Sequence, residues 1–305
     1  MSVAQTLYHR LRRMTSQRQR DRFKARVNHA RKLAGPLLKR WHGTFDDADL
    51  EAALRARAPT DFDILMVHSS IGNLLPMYQG DARSLLEMLV RLAGPRTLAM
   101  PGFFFGAADC FNRDYYRRNP KFDVRRTPSQ MGLVTELFRR RKGVVRSLHP
   151  THSVLALGPL AEELCASHHL SPWTFGEASP FGVMARKKTA IVGVGVEYFR
   201  SLTQVHSMED ILAERFPVPR ADEPPVKVTI VDRQGAAFDY EMSRPISRQY
   251  ILHAERLGKF AAPGDVTEWT FRGTKLYITQ ADKVNLAVEA AALRGDSLYN
   301  YSPSR

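Results

Sequence analysis

Three runs of unbroken apolar sequence set the tightest limit on how this chain can fold: FDILMVHSS (62–70), RTLAMPGFFFG (96–106) and KKTAIVGVG (187–195). A strand that is apolar on both faces needs cover on both faces, the condition of a parallel sheet between helical layers. The first and third runs end in small residues, as a buried strand does where it hands the chain to a loop at the sheet's carboxyl edge. Between the first two runs, Gly80 and Asp81 open a helix, DARSLLEMLVRLAG, with Leu85, Met88, Leu89 and Leu92 on one face. Residues 62–104 therefore read as a β-α-β unit, preceded by a polar helix over about 46–57 that the acidic run Asp46–Asp49 opens.

Further along, QMGLVTELFRRR reads as a helix with Ser129 as its N-cap behind Pro128 and Gly143 as its stop. VVRSLHPTHSVLALG returns as a strand with an inserted turn, and PLAEELCASHH is another helix. In GEASPFG, Ser179 is a candidate cap with Pro180 at the first helical position. Residues 103–128 carry aromatics, Arg and Asp without periodicity and are expected to form a long loop, functional or disordered. From about residue 217 prolines mark a linker, and VKVTIVD and AAFDYEM flank Arg-Gln-Gly as a β-hairpin. Residues 217–279 are accordingly expected as a smaller α+β insertion within a body spanning 46–305.

Charge divides the chain differently. Twelve Lys/Arg against the single acid Asp21 put +11 of the net +14 in residues 1–45, leaving the body only the remaining +3. In this basic arm Leu7, Leu11 and Met14, then Phe23, Val27, Ala30 and Ala34, fall at helical spacing opposite a basic face. The preferred reading packs the arm on the body or on a second copy in a homo-oligomer. An anionic membrane surface or a transit peptide also suits it. Nucleic acid is disfavoured, since no recognised motif or series of stacking aromatics is present. There is no run of eighteen apolar residues and no apolar signal region, and the two cysteines, Cys110 and Cys165, lack metal-ligand spacing. The expected setting is cytoplasmic, with peripheral attachment at the inner membrane surface as an option through the arm.

Ten histidines need sorting. His9, His29 and His42 lie in the arm, and His253 sits on a late helix. His168 and His169 end a helix, where an imidazolium would favour the dipole. His68, His149, His152 and His206 each lie at or near a strand end, where open α/β sheets bind ligands. In VHSMED, Glu209 and Asp210 follow His206 by three and four residues, one face of a helix. A carboxylate there would fix the imidazole tautomer and raise its basicity, as a general base requires. By spacing alone, a surface His–Glu pair is the plainer meaning. A zinc site at His149 and His152 lacks a supporting motif, so no metal is expected. Ser69 and Ser70 lack a nucleophile elbow, and Gly193 and Gly195 read as close-packing positions rather than a dinucleotide fingerprint.

Taken in order, DILMVHSSIG…QGDARSLLEMLVRLAGPRTLAMPGF, FDVRRTPSQMGLVTELFRRRKGVVRSLHPTHSVLALGPLAEEL, FGEASPFGVM and AIVGVGVEYFRSLTQVHSMED resemble the aminoglycoside 3-N-acetyltransferase, or antibiotic N-acetyltransferase, family from about Asp61 onward. The resemblance implies an α/β/α sandwich of that family's own type, not the GNAT fold. It implies acetyl-CoA as donor and an amine of an amino sugar or aminoglycoside-like ring as acceptor. By position it implies His206 as general base with Glu209 beside it. Ser69, Ser70, Thr127, Pro128, Ser129, Ser179, Pro180 and Phe181 would line the CoA site. His68, His149 with Pro150, Asp109 and Asp210 fall to the acceptor side. Arg113, Arg117, Arg118, Lys121, Arg125 and Arg126 outnumber Asp109, Asp114 and Asp123 in the 103–126 segment, which would disfavour a cationic drug. A polysaccharide or secondary-metabolite amino sugar is therefore preferred as acceptor. Two other classes stay open: a catalytically idle CoA- or anion-binding scaffold, and a membrane-associated protein acting through its arm.

Overall fold

The structure, a computed structural model, describes residues 33–107 and 112–301. Ten strands carry it: β1 Ile64–Ser69, β2 Thr97–Pro101, β3 Lys121–Asp123, β4 Val145–Arg146, β5 Val154–Leu157, β6 Thr189–Val194, β7 Val226–Val231, β8 Ala237–Met242, β9 Val266–Phe271 and β10 Thr274–Gln280. Seven of them form one sheet in the order β4-β5-β2-β1-β6-β10-β9. The three apolar runs are its centre: β1 pairs in parallel with β2 on one side and β6 on the other. Antiparallel β5 and β10 continue the sheet outward. The expected β-α-β unit is present.

Because successive side chains point to opposite faces, β1 feeds two cores. Ile64 and Met66 bury on one face with Ile191 and Tyr277, and Leu65 and Val67 on the other with Leu98, Val192 and Leu276. The helices are α1 Gly35–His42, α2 Asp47–Arg55, α3 Ala82–Ala93, α4 Asn112–Arg118, α5 Leu133–Arg139, α6 Ala161–Ala166, α7 Pro180–Arg186, α8 Ser207–Ile211 and α9 Ala281–Leu293, besides several single turns. α2, α3 and α5 cover the Leu65 face, and α6, α7, α8 and α9 the Ile64 face. The result is the expected α/β/α sandwich. Side-chain caps set the helix starts. Asp46 accepts from the Asp49 amide at 3.0 Å, Asp81 from the Ser84 amide at 2.8 Å, and Ser179 from the Gly182 amide at 3.2 Å. Each cap contributes about 1 kcal/mol.

Two local expectations are corrected. Ser129 does not cap α5. The helix starts at Leu133 behind Gly132, whose φ of 99° breaks the chain direction, and the Ser129 hydroxyl accepts from the Met131 amide in the preceding bend. Nor is 103–128 all loop: it holds α4 and β3, and β3 pairs in parallel with β7. A three-residue strand is too short to show periodicity, and its partner lies far along the chain. With β8 it makes a second sheet over its own core of Tyr116, Phe122, Val228, Ile230 and Tyr240. The predicted hairpin is β7–β8. Within 217–279, that hairpin joins the small sheet while β9 and β10 extend the large one. The arm's pattern from Leu7 to Ala30 lies outside the described residues; Ala34 precedes α1. Among the described residues no helix is long and apolar enough to cross a membrane.

Gly193 and Gly195 do serve close packing. A Cβ on Gly193 would lie 1.9 Å from Tyr277 Cε1, and one on Gly195 2.6 Å from the Ser70 carbonyl oxygen. Tyr277 sits wholly buried across β6 with no room to retreat. Gly193→Ala should therefore destabilise the fold by about 1–3 kcal/mol through overpacking, read as a lower urea midpoint at unchanged slope.

Candidate active site

β6 delivers the chain through Gly195 to a turn at Thr203–His206 that runs directly into α8. This places His206 at the helix start and Glu209 one turn in, so the two side chains meet. His206 Nδ1 and Glu209 Oε1 are 2.6 Å apart. The same oxygen accepts from the Tyr299 hydroxyl at 2.8 Å. Glu209 and Tyr299 are both buried, whereas 27% of the His206 side chain is exposed. With Nδ1–H donating to the carboxylate, Nε2 is the nitrogen left to accept a proton. Burial alone would lower the His206 pKa. The Glu209 charge and hydrogen bond, helped by Asp210, outweigh it and hold the pKa above the ordinary value.

Asp210 faces another way. Its oxygens accept from the Phe175 amide at 2.8 Å and from Arg220 Nη2 at 3.0 Å. Burial raises its pKa in spite of the guanidinium. Arg220 also donates to the Glu209 carbonyl at 2.7 Å and lies 4.2 Å over the Trp173 ring. Asp210 and Arg220 thus hold the 173–175 segment against α8, and Phe175 stacks on the His206 ring at 5.1 Å. From below, Gln204 ties the Phe181 carbonyl to Asn285 of α9.

An aromatic layer extends from the dyad. The His152 ring lies 4.9 Å from both Phe103 and Phe175 and 5.3 Å from Phe105, and Phe181 packs on Phe175 at 5.0 Å. His149 lies beneath it, fully buried. Its Nδ1 accepts from the His152 amide at 3.0 Å and its ring stacks on His168 at 4.5 Å. The His-Pro-Thr-His turn is thus a folded plug, pinned also by the Tyr116 hydroxyl donating to the Pro150 carbonyl. His168 corrects the helix-dipole expectation. It is fully buried between the Ser147 hydroxyl and the Thr174 carbonyl, each at 2.9 Å, and burial lowers its pKa to about 3, so it is neutral. Burial likewise lowers His152 to about 3, His68 to about 4, and His149 well below its ordinary value.

The remaining predicted positions divide. Ser69 ends β1 and Ser70 follows it, both half-exposed, and their hydroxyls make no hydrogen bond among the described residues. His68 is buried beside Gly193. The Thr127 hydroxyl accepts from the Asp123 amide, and the Ser129 amide donates to Glu136. Ser179, wholly buried, donates to the Gly176 carbonyl at 2.6 Å while capping α7 through Pro180 and Phe181. Asp109 lies outside the described residues. Sequence reading missed Tyr299, ninety positions beyond Glu209, for which no local signal exists. It also missed Phe175 and Gln204.

A layered α/β protein with a histidine–carboxylate pair past the central strand is the class this geometry defines. A family model described as aminoglycoside 3-N-acetyltransferase matches residues 66–289, and the chain belongs to that family. It is 29% identical to aminoglycoside N(3)-acetyltransferase III from Salmonella sp over 52% of this chain, spanning 61% of that relative's length. It is 27% identical to aminoglycoside N(3)-acetyltransferase VII from Streptomyces paromomycinus over 68% of this chain and 78% of the relative. Its fold superposes on aminoglycoside acetyltransferase AAC(3)-Xa with a TM-score of 0.67 at 21% identity, covering 87% of this chain and 99% of that one. It superposes on AAC-IIIb in its binary complex with CoASH at 0.64 and 19% identity, covering 85% and 100%.

The buried histidines make stability pH-dependent with a definite sign. Each has a folded pKa depressed below its unfolded value near 6.5, so the unfolded state takes up the protons. Their contribution is full above about pH 6.5 and is lost as pH falls toward 4. The expected loss is about 1–2 kcal/mol per histidine by pH 5, read from urea midpoints, with a flatter profile for His168→Asn.

Proposed function

We propose that this chain is an acetyl-CoA-dependent N-acetyltransferase that acylates an amino group of an aminoglycoside-type amino sugar, with His206 as general base. The observation that carries this reading is the 2.6 Å contact between His206 and a buried Glu209. An amine reaches neutral pH as an ammonium and cannot attack a thioester until it loses a proton. Nε2 of His206 takes that proton, and Glu209, itself held by Tyr299, stabilises the imidazolium that forms. The freed amine then bonds the acetyl carbon as the C–S bond breaks, and the departing thiolate takes up a proton to leave as the free thiol. The donor supplies the activated acetyl group. The hydroxyls of Ser69 and Ser70 at the carboxyl end of β1, unbonded among the described residues, are suited to hold it, a polar edge beside a small-residue loop. Phe103, Phe175 and His152 present the apolar layer that keeps water from the attack.

The acceptor class follows the named relatives, all aminoglycoside N(3)-acetyltransferases, rather than the preference for a polysaccharide-type sugar drawn from the 103–126 charges. That preference is withdrawn on the strength of those relatives, and half of the cations counted there meet carboxylates. Arg113 pairs with Glu223 at 2.9 Å, Arg117 with Asp114 and Glu223, and Arg126 lies 3.8 Å from Asp123. Beside His206 the carboxylate of Glu209 favours a cationic amine, while Asp210 is paired with Arg220. The arm, residues 1–45, is proposed as a tether or packing element, with Phe45 at its end already part of the body's core.

His206→Ala should lower kcat/KM by about 10²–10⁴-fold in a thiol-release assay with acetyl-CoA and an aminoglycoside panel. Unchanged kinetics would refute the assignment. Rate should rise with pH through an inflection above 6.5, as the raised pKa of His206 requires. Glu209→Gln removes the charge that raises it, so the inflection should move to lower pH while kcat falls. Deleting residues 1–32, which leaves buried Phe45 in place, should spare acetyl transfer; loss of turnover in the folded variant would move the arm into the site.

A further inference from the structure

A second site is written in arginine. Arg146, on β4, is almost wholly buried, yet its guanidinium meets only neutral groups. It donates to the Ser153 hydroxyl at 2.8 Å and to the carbonyls of Gly102 at 2.7 Å, Thr127 at 2.5 Å and Val124 at 3.3 Å. Among the described residues it forms no ion pair. A buried charge without a counter-charge is costly, and burial together with neighbouring Arg139 lowers its pKa to about 10. A counter-charge does not come from its neighbours. A cavity of about 500 Å³ opens beside it, lined also by Arg125, Arg139, Arg140 and Arg233. The carboxylate that serves this cluster is Glu136, bonded to Arg139 at 2.7 Å and Arg140 at 2.8 Å and depressed to about 2 by them. Arg233 is anchored on the Val144 carbonyl, and the Arg125 side chain has no hydrogen-bond or ion-pair partner among the described residues. Five guanidiniums against one carboxylate leave four positive charges around a space large enough for a small molecule.

We propose that this cavity binds a phosphorylated small molecule, its phosphate oxygens held by the forks of Arg125, Arg140 and Arg233 above Arg146. Guanidinium forks match phosphate bidentately, and a dianion supplies what Glu136 alone does not. The cavity does not include the dyad, but it is joined to it. Arg146 holds the Gly102 carbonyl, and the next residue, Phe103, packs on His152. Two sources share the required chemistry. One is the phosphorylated end of the CoA donor, which rests on the acetyl-transfer reading; the other is a separate phosphorylated ligand, which does not.

The test is calorimetric titration of the full chain with inorganic pyrophosphate, a probe that needs no turnover. Binding should weaken with rising salt and fall at least tenfold in Arg125→Gln/Arg140→Gln, with only partial recovery in Arg125→Lys/Arg140→Lys, which keeps the charge but not the fork. Both positions are exposed and neither contributes to a core, and thermal melting confirms that the variants are folded. No binding by the wild type, or equal binding by wild type and the Gln variant, overturns the proposal. CoA that displaces pyrophosphate and loses affinity in the same Gln variant identifies the donor as occupant, with dephospho-CoA reporting the share of the 3′-phosphate. Unaltered CoA binding in a variant that has lost pyrophosphate identifies a separate phosphorylated ligand. Failure of acetyl transfer leaves the pyrophosphate result standing, so the two readings fail independently.

Discussion

The hydrogen bonds of one buried guanidinium join most of what matters here. Arg146 gathers the carbonyls of Gly102, Val124 and Thr127 and the Ser153 hydroxyl about a single side chain. It thereby locks the loop leaving β2 to the turn after β3 and to the edge of β5. Phe103 rides on that loop and fixes the His152 ring beside the dyad. A rigid fork with five donors can satisfy four acceptors from separate segments; a lysine could not reproduce the geometry. The cost is a charge in the interior, and the arginine-lined cavity is where that cost is exposed.

The histidines show how strongly burial and partners divide one residue type. His149, His152 and His168 lie among each other's rings and neutral hydrogen-bond partners, and burial drives all three to the neutral state. His206 is close by but faces a carboxylate, and its pKa moves the other way. A neutral wall beside a basic, partly exposed imidazole is a useful division. It keeps competing positive charge away from the nitrogen that takes up a proton.

Much of this was legible in the chain. The apolar runs of β1, β2 and β6, the Ser179–Pro180 helix start and the hairpin β7–β8 rest on local pattern and appear where expected. The His206–Glu209 pair was visible as an i, i+3 spacing, since one helical turn brings such residues together. The failures are equally physical. Ser129 looked like a cap because serine before a helix often is one, but Gly132 reset the chain direction three residues later. β3 was read as loop because three residues carry no period, and its stability comes from β7. His168 looked like an imidazolium at a helix end, but Ser147 and Thr174 enclose it and burial keeps it neutral.

By itself the sequence determined the layered α/β architecture, the start of several helices and the spacing that brings His206 to Glu209, because these depend on periodicity, capping and neighbours within a turn. Only the tertiary structure decided that Tyr299 shares the Glu209 oxygen, that Arg113 and Arg117 meet the distant Glu223, and that five arginines converge on one cavity. Those outcomes depend on which distant segments pack together, and burial then sets the charge each group can carry.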